Sequence, residues 1–327
     1  MVFLFRDKSI INLFYLVVLS VAVHLHLLTG APMVVTHGAD GLFSIFLQRY
    51  VSGLSATPLF LLYQAVLLIQ AIRLNMVLND MRMFHVNTYT TAMALVVLSG
   101  IMPQWCVISP ALLANFLLIW IFIKLSRLYN HPSPKTLLFN TGLVVGVTML
   151  CYHPTAVLIP VVLFALAVVR PFRPSEWMIL LMGTILPYYF LAAWLFLNDH
   201  LSSFPYYIPY LRLNLPVNTL PVPMIVQLSF LCITFMVGIY YWQLSSNRMV
   251  IQTRKNWGVM MVMLLFLLPA CFLFRDAGIG SAVMFLIPMA AFTGNSFSYP
   301  RSLLVPNLLF WIAAGILVYN NWWLIKN

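Results

Sequence analysis

Asp40, Asp199 and Asp276 are three of the six acids in a chain of 327 residues. Each stands beside a nitrogen-bearing side chain: His37 precedes the first, His200 follows the second, and Arg275 precedes the third. Such residues suit one kind of chemistry. Arginines hold phosphate oxygens through charge-assisted, often bidentate hydrogen bonds, and a carboxylate or imidazole within reach moves a proton. The candidate set is Asp40 as the proton-transferring residue, with Arg212, Arg275, Asp199, His153 and Asp276 binding an anionic headgroup. His24 and His26 are two residues apart and point to different helix faces, so both cannot line one cavity. A simpler reading stays open, in which these are loop residues facing water and the histidines bond to backbone.

Other chemistries are poorly served. There is no HExxH, HxxxH, CxxC or paired-carboxylate motif, so neither a metal nor another cofactor is expected. No serine or cysteine has a nucleophile signature. Cys106, Cys151, Cys232 and Cys271 lie in or beside apolar runs, which predicts buried, inert thiols.

What positions the candidates is set by composition. Apolar residues make up 63% of the chain and charged residues 7%, against about a quarter charged in soluble domains, and mean hydropathy is +0.97. Too few charges remain to solvate a soluble globule. The sequence therefore predicts an all-α polytopic membrane bundle in one integral domain, 1–327. A span needs about 20 apolar residues, and eleven stretches meet or approach this: 10–28, 58–78, 88–102, 110–126, 137–151, 155–169, 177–197, 223–243, 257–274, 279–293 and 303–322. The first follows Arg6 and Lys8 but is longer than a signal-peptide core, so a retained helix is expected. The pair within 137–169 is short, and a re-entrant hairpin is the alternative to two crossings.

Eleven alternating crossings place thirteen of the seventeen Lys and Arg residues on one side, leaving Arg49, Arg212, Arg275 and Lys326 on the other. Basic residues are retained in the cytoplasm, which puts the N-terminus inside and the C-terminus outside. The net charge of +11 is then topological, and nucleic acid is not an expected partner. Trp105, Trp177, Trp242, Trp257, Trp322 and Trp323 fall near span ends, as interfacial anchors do.

Two exterior segments exceed simple turns. Residues 29–57 hold Asp40 and then an amphipathic interfacial helix, with Leu42, Phe43, Ile45, Phe46, Leu47, Tyr50 and Val51 apolar and Ser44, Gln48 and Arg49 on the polar face. Residues 198–222 are rich in Pro and Tyr, which precludes a long regular helix. On the inner side, Asp7, Asp80 and Glu176, near Arg6/Lys8, Arg82 and Arg173, are expected to form solvated pairs or lipid-headgroup contacts. Gly142 and Gly146 have the spacing that lets two membrane helices approach. Arg73, late in its span, is expected to snorkel.

Six segments carry a resemblance across most of the chain: Phe5-Arg6-Asp7-Lys8-Ser9, the region from Gln70 to Asn75, Leu112-Leu113-Ala114-Asn115, Phe139-Asn140-Thr141-Gly142, Tyr152-His153-Pro154, and Arg170-Pro171-Phe172-Arg173-Pro174-Ser175-Glu176-Trp177. The last is the most specific. By these the chain resembles a family of uncharacterised polytopic inner-membrane proteins of Bacteroidota, which implies a bacterial inner-membrane location. The carotene-oxygenase label often given to that family needs a four-histidine iron site, and histidines on both sides of the membrane cannot build one.

The architecture is also similar to the C-type fold of polyprenyl-phosphate-dependent glycosyltransferases. A carboxylate in their first exterior loop acts as base or holds a metal; the matching position is Asp40, without the second acidic neighbour many of them carry. Three functions follow as expectations: handling of a lipid-linked envelope intermediate, by glycosyl transfer or translocation, with membrane lipid or a polyprenyl-phosphate-linked substrate as partner; service as an accessory subunit bound to another membrane protein; or transport of a small solute.

Overall fold

Local signals start the helices where the sequence turns apolar. Ser9 Oγ accepts the Ile11 N–H at the head of α1 (Ile10–Val23), and Ser109 Oγ accepts the Leu112 N–H at the head of α5 (Pro110–Ser126). Prolines open α5, α6 (Pro134–Cys151) and α8 (Pro174–Leu197), where the missing N–H would have lacked a partner anyway. The computed structural model describes residues 2–7, 9–36, 40–211, 221–274, 278–300 and 302–326; for residue 10 and residues 323–326 only the backbone is described.

The remaining α-helices are α2 (Leu42–Tyr50), α3 (Ala56–Asp80), α4 (Thr90–Ser99), α7 (Leu158–Val169), α9 (Val222–Ser246), α10 (Ile251–Leu273), α11 (Leu286–Ser298) and α12 (Leu304–Lys326). No strand occurs among the described residues, only the isolated bridges Val34–Ile108 and Leu211–Phe274. Among the described residues, seven helical segments are long and apolar enough to cross a membrane: α3, α6, α8, α9, α10, the Ile279–Ser298 stretch that includes α11, and Leu304–Trp322 of α12. Apolar helices of this length in one bundle are those of a multi-pass membrane protein. Four shorter ones, Ile11–Val23, Thr90–Ser99, Pro110–Ser126 and His153–Val169, complete the set. All ten residues of α4 are buried. It is a core helix of about 15 Å, screened from lipid by its neighbours.

Hydrogen bonds gather the loops at two ends. At one end Tyr89 N–H donates to Phe5 O, Arg6 Nε to Phe297 O, Trp257 Nε1 to Met83 O, Lys255 Nζ to Val169 O, and Arg170 Nη1 to Leu128 O and His131 O. This basic end carries Arg6, Arg82, Arg170, Arg248 and Lys255. At the opposite end His153 N–H donates to Asp40 O, Trp105 Nε1 to Ile279 O, and Asn321 Nδ2 to Val23 O.

Inside the bundle, buried amides tie helices together. Gln70 Nε2 bonds Leu112 O, Asn115 Nδ2 bonds Val283 O, and Asn75 and Asn79 both donate to Thr88 O at 2.8 and 2.9 Å. The Gly142/Gly146 spacing has its full consequence. A Cβ at Gly142 would stand 2.1 Å from Leu180 O, and one at Gly146 2.3 Å from Thr184 O. With no hydrophobic drive between helices in lipid, such close backbone contact is what associates them, and α6 and α8 pack here.

Several expectations are corrected. Glu176 is buried, and its main partner is Arg170: Nε–Oε2 is 3.0 Å and Nη2–Oε1 3.2 Å, with Arg173 at 3.9 Å. The α7–α8 loop folds back on itself and removes this pair from solvent. Ser44 lies on the buried side of α2 with Leu47, whereas Leu42, Ile45, Phe46 and Tyr50 are exposed. The helix docks by its Ser44–Leu47 edge onto α5 and α6 and turns its greasy face outward. Trp105 and Trp257 are core residues, 2% and 0% exposed, and Trp257 packs among Phe84, Trp242 and Phe292. Of the four cysteines only Cys106 is buried; Cys232 is exposed on α9. Burial pushes the Cys106 thiol up to about 12, so it stays protonated. Arg73 is exposed.

Candidate functional sites at the two ends of the bundle

The end opposite the basic loops brings two of the candidate residues together. Gly41 has φ +117°, and a Cβ there would lie 2.7 Å from Cys151 O. Only glycine permits both that dihedral and that approach. The segment before α2 is thereby pressed onto the α6–α7 junction, where the 2.9 Å bond from His153 N–H to Asp40 O forms. Asp40 and His153 are 5% and 6% exposed. Pro154 opens a 3₁₀ turn, His153–Val157, which fixes the junction.

Asp199 has a local duty. It sits at φ 58°, its N–H bonds Phe196 O, and the His200 N–H bonds Leu195 O. This is the 6→1 and 5→2 pattern of a Schellman cap, and Asp tolerates the left-handed conformation better than most non-glycine residues. Asp199 and His200 are exposed. Arg212, Arg275 and Asp276 lie outside the described residues, as does His37. Leu211 and Phe274 pair as an isolated antiparallel bridge.

His24 is absorbed by the core. Its Nδ1 faces Ser20 O at 3.0 Å and its Nε2 faces the Tyr63 hydroxyl at 3.1 Å. Nδ1 therefore carries the proton and Nε2 accepts. Ser99 and Gln64 extend this buried network. His26 Nδ1 instead meets Asn321 Oδ1 at 2.7 Å, so the two histidines do face apart. Among the described residues no three His, Cys, Asp or Glu side chains cluster to hold a metal.

The basic end contains a site that spacing did not disclose. A cleft of about 840 Å³ opens between the α3–α4 loop, the α9–α10 loop and the end of α11. His85, Arg248, Asn295, Tyr241 and Tyr299 line it. Tyr299 stacks near His85 and Tyr241, with centroids 5.8 and 5.9 Å apart. An adjoining pocket of about 390 Å³ shares His85 and Arg248 and adds Asp80 and Arg82. Arg82 occupies φ 52° in another Schellman turn, with Arg82 N–H to Asn79 O and Met83 N–H to Leu78 O. These residues come from two loops and the ends of α9 and α11, far apart in sequence. The available signal was weak: His85 and Arg248 stand in loops assigned to one side, without a shared motif.

No protein-family model matches the chain, and a search of curated proteins finds no match.

Proposed function

We propose that this chain is a bacterial inner-membrane protein of eleven crossings, with a cytoplasmic N-terminus and an exterior C-terminus. It handles a lipid-linked envelope intermediate at a site built on Asp40 and His153. The observation that carries the reading is the burial of these two ionisable residues side by side, joined by the 2.9 Å backbone bond. Ionisable groups held inside a membrane protein are costly and tend to mark function.

In this reading the Asp40 carboxylate takes the proton of an acceptor hydroxyl as that oxygen attacks the sugar's anomeric carbon. Polyprenyl phosphate leaves with the bonding electrons, and Arg212 and Arg275 hold its charge.

The test supplies a polyprenyl-phosphate-linked sugar and an acceptor to the purified chain and follows transfer. Asp40→Asn should abolish turnover with insertion and yield unchanged, because loss of a general base costs about 10²- to 10⁴-fold. Arg212→Gln should weaken substrate retention first. Equal turnover by the Asp40→Asn protein removes the carboxylate from the mechanism.

A further inference from the structure

The cleft at the basic end is lined by a residue whose buried amide donor has no partner among the described residues. Asn295 lines the cavity, is 3% exposed, and its Nδ2 has no hydrogen-bond partner among the described residues. Leaving a buried amide donor unpaired is costly, and an acceptor oxygen entering the cleft removes that penalty. Two residues along the chain, the Phe297 carbonyl receives Arg6 Nε, while Arg6 Nη2 is buried and likewise without a partner among the described residues.

We propose that this cleft binds a phosphate group, carried by a lipid headgroup or by a free phosphorylated solute. Arg248 and His85 stand at its exposed rim, and Arg82 lines the adjoining pocket together with the single carboxylate described there, Asp80. Cationic rim, amide floor and Tyr241–Tyr299 wall are the parts a tetrahedral oxyanion on an organic body requires. The volume of about 840 Å³ exceeds what phosphate alone needs, so a larger moiety attached to it has room.

The walls are already in place. Asn75 and Asn79 pin the α3–α4 loop through Thr88 O, and Trp257 holds Met83 O. Little ordering is left to oppose binding. The site lies at the opposite end from Asp40 and His153 and does not depend on their role.

The experiment uses the full chain in nanodiscs of zwitterionic lipid. Inorganic phosphate is titrated calorimetrically, and phosphatidate retention is measured separately by native mass spectrometry. The wild-type protein is expected to bind at least one of them. Arg248→Gln, an exposed position, should weaken binding roughly tenfold to a hundredfold, the worth of one charged hydrogen bond. Asn295→Asp keeps the side-chain shape, sets a carboxylate against the anion, and should abolish binding. Arg127→Gln, exposed at the same end but away from the cleft, should bind as wild type does. Binding of inorganic phosphate assigns a soluble ligand, and retention of phosphatidate alone assigns a headgroup. If the wild type binds neither, or if Arg127→Gln weakens binding as much as Arg248→Gln, the proposal is overturned. Both readouts are binding at the basic end, so the turnover assay on Asp40→Asn can fail or succeed independently.

Discussion

Replacing Gly142 with alanine adds one methyl group where α6 and α8 touch backbone to backbone. That Cβ would stand 2.1 Å from Leu180 O, against the 3.4 Å at which ordinary contact begins. The helices must therefore part by up to roughly 1.3 Å at that point, and overpacking of this kind costs about 1–3 kcal/mol. Gly146 lies one turn along the same face, with its added Cβ 2.3 Å from Thr184 O, and Gly183 returns the contact from α8, 2.3 Å from Phe139 O. One displacement of α8 relieves both α6 positions, so Gly142→Ala and Gly146→Ala should be markedly sub-additive when combined. The effect should be large for a surface helix. Most of α8 faces outward, including Met178, Met182, Ile185, Tyr189, Phe190 and Trp194, which leaves the α6 seam as its principal attachment. Denaturant titration in mixed micelles, followed by tryptophan fluorescence, measures the cost. Gly315→Ala is the internal control, because nothing lies within 4 Å of its added Cβ. If both single variants match wild type within about 0.3 kcal/mol, or their costs simply add, the seam is not held by close backbone contact.

Glu176→Gln leaves the Arg170 guanidinium without its charge partner in a site where the two side chains are 13% and 6% exposed, and should cost about 3–5 kcal/mol in the same titration. Arg170→Lys should recover only part, since an ammonium cannot reach both Glu176 oxygens and the carbonyls of Leu128 and His131 together; wild-type stability in the lysine variant would sink the clamp argument. For orientation, a cysteine replacing Lys135 should resist a membrane-impermeant maleimide in intact cells, and one replacing Tyr206, exposed at the other end, should react. The reverse labelling pattern would overturn the cytoplasmic assignment of the N-terminus.

Much of the fold was legible because membrane helices announce themselves by length and apolarity, which need no tertiary information. Each of the eleven apolar stretches contains a helix. Capping serines, opening prolines and the Pro-rich 198–222 segment, whose described part holds only the 3₁₀ turn Leu201–Tyr207, follow from local chemistry. Errors arose where one residue type serves two environments. Tryptophan near a span end suits the headgroup layer, yet Trp257 sits in the core because Phe84, Trp242 and Phe292 surround it. Ser44 looked polar-facing because a serine carries a hydroxyl, but it lies on the docked edge of α2 beside Leu47. Glu176 was assigned the nearer arginine in sequence; a loop that turns back selects the one with bidentate geometry.

The two sites were unequally legible for the same reason. Asp40 stands out because acids are scarce, and scarcity is readable in one dimension. That His153 would lie against it depends on Gly41 accepting a left-handed dihedral over the Cys151 carbonyl, which no spacing rule encodes. The basic-end cleft is a purely three-dimensional object. Asn295 carries no sequence signal; its unpaired amide acquires meaning only when the loops carrying His85 and Arg248 line the same cleft. A buried donor without a partner among the described residues, in a cleft with a cationic rim, is an incomplete hydrogen-bond account that the proposed phosphate oxygen would complete.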